Sequence, residues 1–211
     1  LSTYCVEHDI DSILLGVADR LVEPYAKLCR LLNKPSCLSV DAASVLSNKL
    51  KFNEKLLSFE LNGIPSLTEG QAVRRLRSNK KTVVKPADGN SSKGLTITDR
   101  EDELAGAISE AKHYSATKEV LIEPFMDSSS LGIYLTFDQG ACINFTVYDR
   151  FESKGDLGNN NLPIGSIYPS ALTMLYQETV HHKLVSLLQH LGFRHGPIMF
   201  SAFVEENQFY L

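Results

Sequence analysis

The order of apolar and polar positions divides the chain into short helices and strands. Ile13-Leu14-Leu15-Gly16 is an apolar run closed by glycine and predicts a buried strand. Residues 19–33 then space Val22, Tyr25, Leu28 and Leu32 three or four apart, a helical period stopped by Asn33-Lys34-Pro35. The two together predict one βα unit of an α/β layer. Residues 49–62 form a second amphipathic pattern, ended by Gly63-Ile64-Pro65, and residues 69–78 a third, shorter one. Thr82-Val83-Val84-Lys85-Pro86 is β-branched and predicts a strand that proline stops.

Strands dominate the second half. Leu95-Thr96-Ile97 and Val120-Leu121-Ile122 flank a helical period carried by Leu104, Ile108, Ala111 and Tyr114. Thr98 and Glu101 have capping-box spacing before that helix. Residues 133–137 and 142–148 predict a hairpin around Asp138-Gln139-Gly140. Residues 150–169 read as a long polar connection with three consecutive asparagines, a length that usually carries function. A helix over 170–191 stops at Gly192, and residues 198–204 and 209–211 close the chain as strands. No internal repeat is visible.

Composition narrows the function classes. The chain has 211 residues, 43% of them hydrophobic and 22% charged, enough to bury a core. Its net charge of −4 argues against a general grip on nucleic acid, which needs basic excess. No stretch approaches the roughly 18 apolar residues of a membrane span, and no secretory signal precedes Cys5. The four cysteines, Cys5, Cys29, Cys37 and Cys142, have neither C-x-x-C nor zinc spacing and predict buried thiols in a reducing cytoplasm. The glycosylation patterns at Asn90 and Asn144 are read as chance. The chain lacks an initiator Met and ends inside a strand-like run, which predicts a trimmed chain.

The candidate chemistry is strand, Lys-Pro, Gly/Ser loop, strand. Lys85 ends a buried strand, and Asp88-Gly89-Asn90-Ser91-Ser92-Lys93-Gly94 offers backbone N–H groups and hydroxyls on a close turn. A nest of that kind beside a cation suits phosphate oxygens, although Gly/Ser loops also serve as plain hairpin turns. Gly89-x4-Gly94 has the outer spacing of a P-loop, but Leu95-Thr96 replaces the required Lys-Ser/Thr and a strand follows instead of a helix. A protein kinase places its glycine loop before the strand lysine, the reverse of the order here.

The ordered set Lys51-Phe52-Asn53-Glu54-Lys55, Gly63-Ile64-Pro65, Val83-Val84-Lys85-Pro86, the loop, and Val120-Leu121-Ile122-Glu123-Pro124-Phe125-Met126 resembles the ATP-grasp superfamily. The textures are most similar to D-alanine–D-alanine ligases and to carbamoyl-phosphate-synthase-like carboxylate–amine ligases. The resemblance implies an α/β (α+β) fold of two lobes clasping ATP. Residues 1–47 would be the tail of a Rossmann-like preceding domain and 48–211 the ATP-grasp domain, with a small lobe over about 68–124 and an incomplete large lobe over about 125–211. It implies ATP contacts from Lys51, Lys85, Asn90, Ser91, Ser92, Lys93 and Gly94. Glu123 would accept from the adenine amino group, and Pro124, Phe125 and Met126 would form the hinge, with backbone at Phe125 and Met126 reading the ring edge. Lys85 and Arg150 would face the transferring phosphoryl group.

Two positions depart from the family pattern. Ser130 stands where a ribose-binding Glu is usual, and Phe200 or Ser201 stands where the first Mg2+ ligand is usual. The remaining metal ligands would lie beyond Leu211, so no residue of this chain is assigned to metal. Histidines His181, His182, His190 and His195 are read as helix and loop residues. The resemblance implies an ATP- and Mg2+-dependent ligase joining a carboxylate to an amine or thiol through an acyl phosphate. Two alternatives stand beside it: an inactive or weakly active ATP-binding member, and a carbamoyl-phosphate-synthase-like subunit. The expected partners are small-molecule carboxylate and amine substrates, not nucleic acid or membrane, with a homodimer as a compatible assembly in the cytoplasm.

Overall fold

The computed structural model describes residues 1–16, 19–89, 92–153 and 162–211. In chain order the helices are α1 (Ser2–Glu7), α2 (Val22–Leu31), α3 (Val40–Leu46), α4 (Lys49–Ser58), α5 (Glu69–Arg77), α6 (Leu104–Tyr114), α7 (Thr173–Tyr176) and α8 (His182–His190). The strands are β1 (Thr82–Pro86), β2 (Thr96–Thr98), β3 (Val120–Pro124), β4 (Ser129–Asp138), β5 (Ala141–Ser153), β6 (Leu162–Ile167), β7 (Gly196–Glu205) and β8 (Gln208–Tyr210). They form two antiparallel sheets, β2-β1-β3 and β6-β5-β4-β7-β8.

Each sheet has its own core. Val84 and Ile122 of the three-stranded sheet pack with Ala72 and Leu76 of α5 and with Leu104, Ala107 and Ala111 of α6. The five-stranded sheet presents Leu131, Ile133, Leu135, Val147 and Ala202 to helices before and after it, through Tyr25, Ala43, Leu56, Tyr176, Leu184 and Leu188. The period-2 alternation of these strands separates a packed face from an open one. β4 and β5 join through Gln139 and Gly140, both at positive φ (50° and 87°), the backbone a tight hairpin needs.

Several local expectations are corrected. Residues 13–16 are not a strand: they have no regular structure, and Leu14 is 93% exposed while Ile13 and Leu15 pack on the larger core. Helix α4 stops at Ser58 instead of continuing to 62, because Phe59 closes it and Glu60 turns at φ 53°. The capping box is not at Thr98. It forms at Thr68, whose hydroxyl accepts from Gln71 N while the Gln71 side chain accepts from Thr68 N. Thr98 instead donates to Glu103 (2.7 Å) and accepts from Arg100 N. The 150–169 connection is largely strand, since β5 runs to Ser153 and β6 begins at Leu162; residues 154–161 lie outside the described residues. The helix expected over 170–191 is α7 and α8 joined by one π-helical stretch, Gln177–His181. Gly192 ends it at φ 78°, as its position predicts.

Candidate functional site

Helix α4 enters the site because of its N-cap. Asn48, nearly buried, accepts from Leu50 N and Lys51 N, and its amide reaches Glu119 Oε2 at 3.3 Å. Lys49 N donates to Ala87 O at 3.0 Å, and Ala87 N donates to Glu119 O. The first turn of α4 is thereby tied to the end of β1 and the start of β3. The Lys49 ammonium then extends to Gly89 O at 2.6 Å.

On β1 the alternation buries Thr82, Val84 and Pro86 and turns Val83 and Lys85 to the other face. Val83 opposes Glu123 and Lys85 opposes Leu121 on β3, so Lys85 and Glu123 are diagonal neighbours on one face. Their side chains meet at 2.6 Å, with Glu123 only 4% exposed and Lys85 18%. Burial depresses the Lys49 pKa, and the nearby Lys85 charge depresses it further, while Glu123 and Asp88 oppose the shift. Two ammonium groups and one buried carboxylate therefore share the end of the small sheet, with the Asp88 carboxylate close by.

Asp88 fixes the base of the loop. It accepts from Ser115 Oγ (2.7 Å), Ala116 N (3.0 Å) and Thr117 N (3.2 Å). Burial would raise its pKa, but these hydrogen bonds outweigh that and hold it below the usual carboxylate range. Gly94 closes the loop at φ 69°, and a Cβ there would stand 2.8 Å from the Tyr114 ring. Ser92 and Lys93 are exposed. Asn90 and Ser91 lie outside the described residues.

The two lysines of the first turn of α4 take different directions: Lys51 turns away from the loop. Its ammonium donates to Ser44 Oγ at 2.8 Å on an exposed surface, and Lys49 is the α4 lysine that meets Lys85. Two residues along a helix point about 200° apart, so only one of the pair can face the loop. The Phe125 N–H donates to Lys81 O at 3.1 Å and its carbonyl accepts from Arg75 at 3.4 Å. Pro124 and Met126 are half-buried beside it. The Ser128 hydroxyl is buried without a hydrogen-bond partner, two residues after Met126.

Ser130 and Arg150 lie on the other sheet, opposite each other on β4 and β5. Arg150 Nη1 donates to Ser201 Oγ at 2.7 Å. Phe200 faces the core and stacks on Phe52 at 5.4 Å, which leaves Ser201 on the open side. Among the described residues no group of three or more His, Cys, Asp and Glu could hold a metal ion. No described helix is long and apolar enough to cross a membrane. A cleft lined by Glu60, Asn62, Val180, Lys183 and Phe209 lies elsewhere and holds the Lys183–Glu60 ion pair (3.3 Å).

The comparisons agree on the class. D-alanyl-alanine synthetase A from Vibrio cholerae superposes with a TM-score of 0.75 at 19% identity, covering 93% of this chain and 63% of that one. The biotin carboxylase domain of 2-oxoglutarate carboxylase from Hydrogenobacter thermophilus gives 0.78 at 17%, covering 99% and 48%. In sequence, the ATP-grasp enzyme fsqD of Aspergillus fumigatus is 27% identical over 134 residues, 59% of this chain and 23% of its own length. No family model matches. The chain has the ATP-grasp fold, and the proteins it is similar to are enzymes of the ligase class. It spans less than a quarter of the length of that curated relative.

Proposed function

We propose that this chain binds ATP and forms part of a ligase that activates a carboxylate as an acyl phosphate and passes the acyl group to an amine or thiol. The observation that supports this best is the Lys49–Lys85–Glu123 cluster at the end of β1, where Lys49 reaches Gly89 O and two ammonium groups lie close enough to suit polyphosphate oxygens. Glu123 holds Lys85 at the strand end, and since the Phe125 N–H donates to Lys81 O the adenine edge falls, in this reading, to the Met126 amide. Ser128, with its unpartnered hydroxyl, and Ser130 lie where a ribose would follow.

In the reaction a carboxylate oxygen of the substrate attacks the γ-phosphorus, the bond to the β-bridging oxygen breaks, and ADP leaves. The amine or thiol then attacks the acyl carbon, inorganic phosphate departs, and the nucleophile gives up its proton. Lys85, Lys49 and Arg150 position and neutralise the charges that develop, which is most of what phosphoryl transfer asks of a protein. The neighbours' names, D-alanyl-alanine synthetase and L-amino acid ligase among them, describe joining of this kind. The Hydrogenobacter domain is a complex with MgADP. The described residues here do not fit a magnesium site: a hard cation asks for several carboxylates, and the open face of β7 offers Met199, Ser201 and, at its end, the single carboxylate Glu205, with no group of three or more acidic, His or Cys residues among the described residues. No step is routed through the metal.

That same feature favours a second reading, an ATP-binding member with little or no turnover. Phosphate release by the full-length protein, with ATP and panels of carboxylates and amines, separates the two. ATP-analogue binding with acid-dependent phosphate release supports the ligase. Binding without release supports the second reading, and no binding contradicts both.

A further inference from the structure

We propose that the open face of the larger sheet is a subsite for the aromatic ring of the carboxylic-acid substrate; this rests on the ligase reading and narrows it to aryl-bearing acids, such as aromatic amino acids. The register places Gly132 and Tyr134 of β4, Tyr148 and Arg150 of β5, and Met199 and Ser201 of β7 on one side of the sheet, opposite the packed residues Leu131, Ile133, Val147 and Ala202. An open antiparallel face normally carries polar side chains. This one carries a row of rings. Tyr134 stacks on Tyr148 with centroids 5.5 Å apart and planes 19° apart, and Tyr148 on Tyr168 at 4.5 Å and 17°.

Local structure holds that row in place. A Cβ at residue 132 would stand 2.0 Å from Tyr148 Cζ, so glycine is what lets the Tyr148 side chain cross β4. Its hydroxyl then reaches Met199 Sδ on β7 at 3.4 Å. Beyond β6, Ser170 N donates to Val147 O at 2.8 Å and Ser170 Oγ to Asp149 at 2.6 Å. These bonds clamp the turn that carries Tyr168. The outer rings remain accessible, Tyr134 at 41% and Tyr168 at 55%. Each keeps surface on which a further ring can stack.

A cation ends the row. Arg150 follows Tyr148 by two residues on the same face and donates to Ser201 at 2.7 Å. Its charge pulls the Tyr148 phenol downward, against a burial that raises it overall. Tyr168 follows Ser166, the cross-strand partner of Arg150, by two residues, a step of about 7 Å and the reach of a ring joined to a carboxylate through two or three carbons. Tyr134, four positions from Ser130 on β4, lies about twice as far and supports the row from its other end. An aromatic slot ending in a guanidinium and a hydroxyl complements such an acid in shape and charge, and puts its carboxylate beside the arginine expected to face the phosphoryl group.

The test pairs phenyl acids with their cyclohexyl counterparts, phenylalanine with cyclohexylalanine and 3-phenylpropanoate with 3-cyclohexylpropanoate. Calorimetric binding and ATP-dependent phosphate release are measured on the full-length protein. The phenyl member is expected to bind and turn over roughly ten-fold better. Tyr168→Ala and, separately, the milder Tyr168→Leu should erase that preference and raise the KM for the acid roughly two- to twelve-fold, the range of one lost aromatic pair, with ATP-analogue affinity unchanged. Turnover of acids without a phenyl preference overturns the subsite and leaves the ligase reading standing. Phenyl-selective binding that depends on Tyr168, without turnover, supports the subsite and removes the ligase. Tyrosine variants that weaken the nucleotide instead of the acid overturn the subsite by assigning the row to adenine, and a phenyl acid that neither binds nor reacts overturns it outright.

Discussion

The two sheets solve different problems with the same antiparallel geometry. The five-stranded sheet rests on a broad core that includes Tyr25, Leu56, Ile133, Tyr176 and Leu188, so its open face can carry aromatic rings and a guanidinium at small risk to folding. The three-stranded sheet packs on seven buried apolar residues, three of them alanine. It nevertheless buries an ion pair, Lys85–Glu123, at the end that meets α4. A small sheet that buries charge on the face turned from its core depends on both partners being present, because each desolvated ion is compensated mainly by the other.

The sharpest way to break that contrast is Glu123→Ala. Removing one partner of a buried pair costs about 3–5 kcal/mol, and the loss should appear as a lower denaturant midpoint for the chain. Gly132→Ala probes the larger sheet. It forces a methyl group into the Tyr148 ring, and overpacking of this kind costs about 1–3 kcal/mol. Near-UV circular dichroism should report the displaced tyrosine row together with the loss of stability. If Gly132→Ala proves the more damaging of the two, the contrast between the sheets is reversed.

Alkaline titration is a finer probe. Lys49 ionises below the usual lysine range because burial and the Lys85 charge disfavour its ammonium form. Its folded-state pKa lies below its unfolded value, so the unfolded chain keeps the proton longer. Stability should therefore rise as pH climbs from the lowered pKa toward the ordinary lysine value. Nucleotide affinity should fall over the same window, as phosphate loses a cation, and Lys49→Arg should abolish the fall. The smallest expected effect is that of Ser201→Ala, which removes one exposed hydrogen bond to Arg150 and should change stability by no more than about 1 kcal/mol.

Much of this arrangement was legible in the residues. The β-branched run at 82–86, the Gln139-Gly140 turn and Gly192 as a helix stop obey local rules that packing did not override. The apolar run at 13–16 failed because a short run cannot say whether a partner strand exists; Ile13 and Leu15 are used for packing without one. At the site, Lys85 and Glu123 were found through their order in the chain, but their pairing depends on a cross-strand diagonal. The order of motifs singles out Lys51 and carries no helix phase, so it is silent on Lys49. Asn48 was the available signal: as N-cap it makes Lys49 the first helical residue, on the side that meets the β1–β2 loop. The tyrosine row escaped because Tyr134, Tyr148, Tyr168 and Met199 come from four segments that only the strand register brings together.

The most direct measurement is a calorimetric titration of a non-hydrolysable ATP analogue into the protein and its Lys49→Ala, Lys51→Ala and Lys85→Ala variants. Loss of a charged hydrogen bond should weaken binding by about 1.5–3 kcal/mol for Lys85 and for Lys49, with Lys51→Ala indistinguishable from the parent. Unchanged affinity in Lys85→Ala, or a loss in Lys51→Ala that matches Lys49→Ala, would contradict the placement of the nucleotide at the Lys49–Lys85–Glu123 cluster.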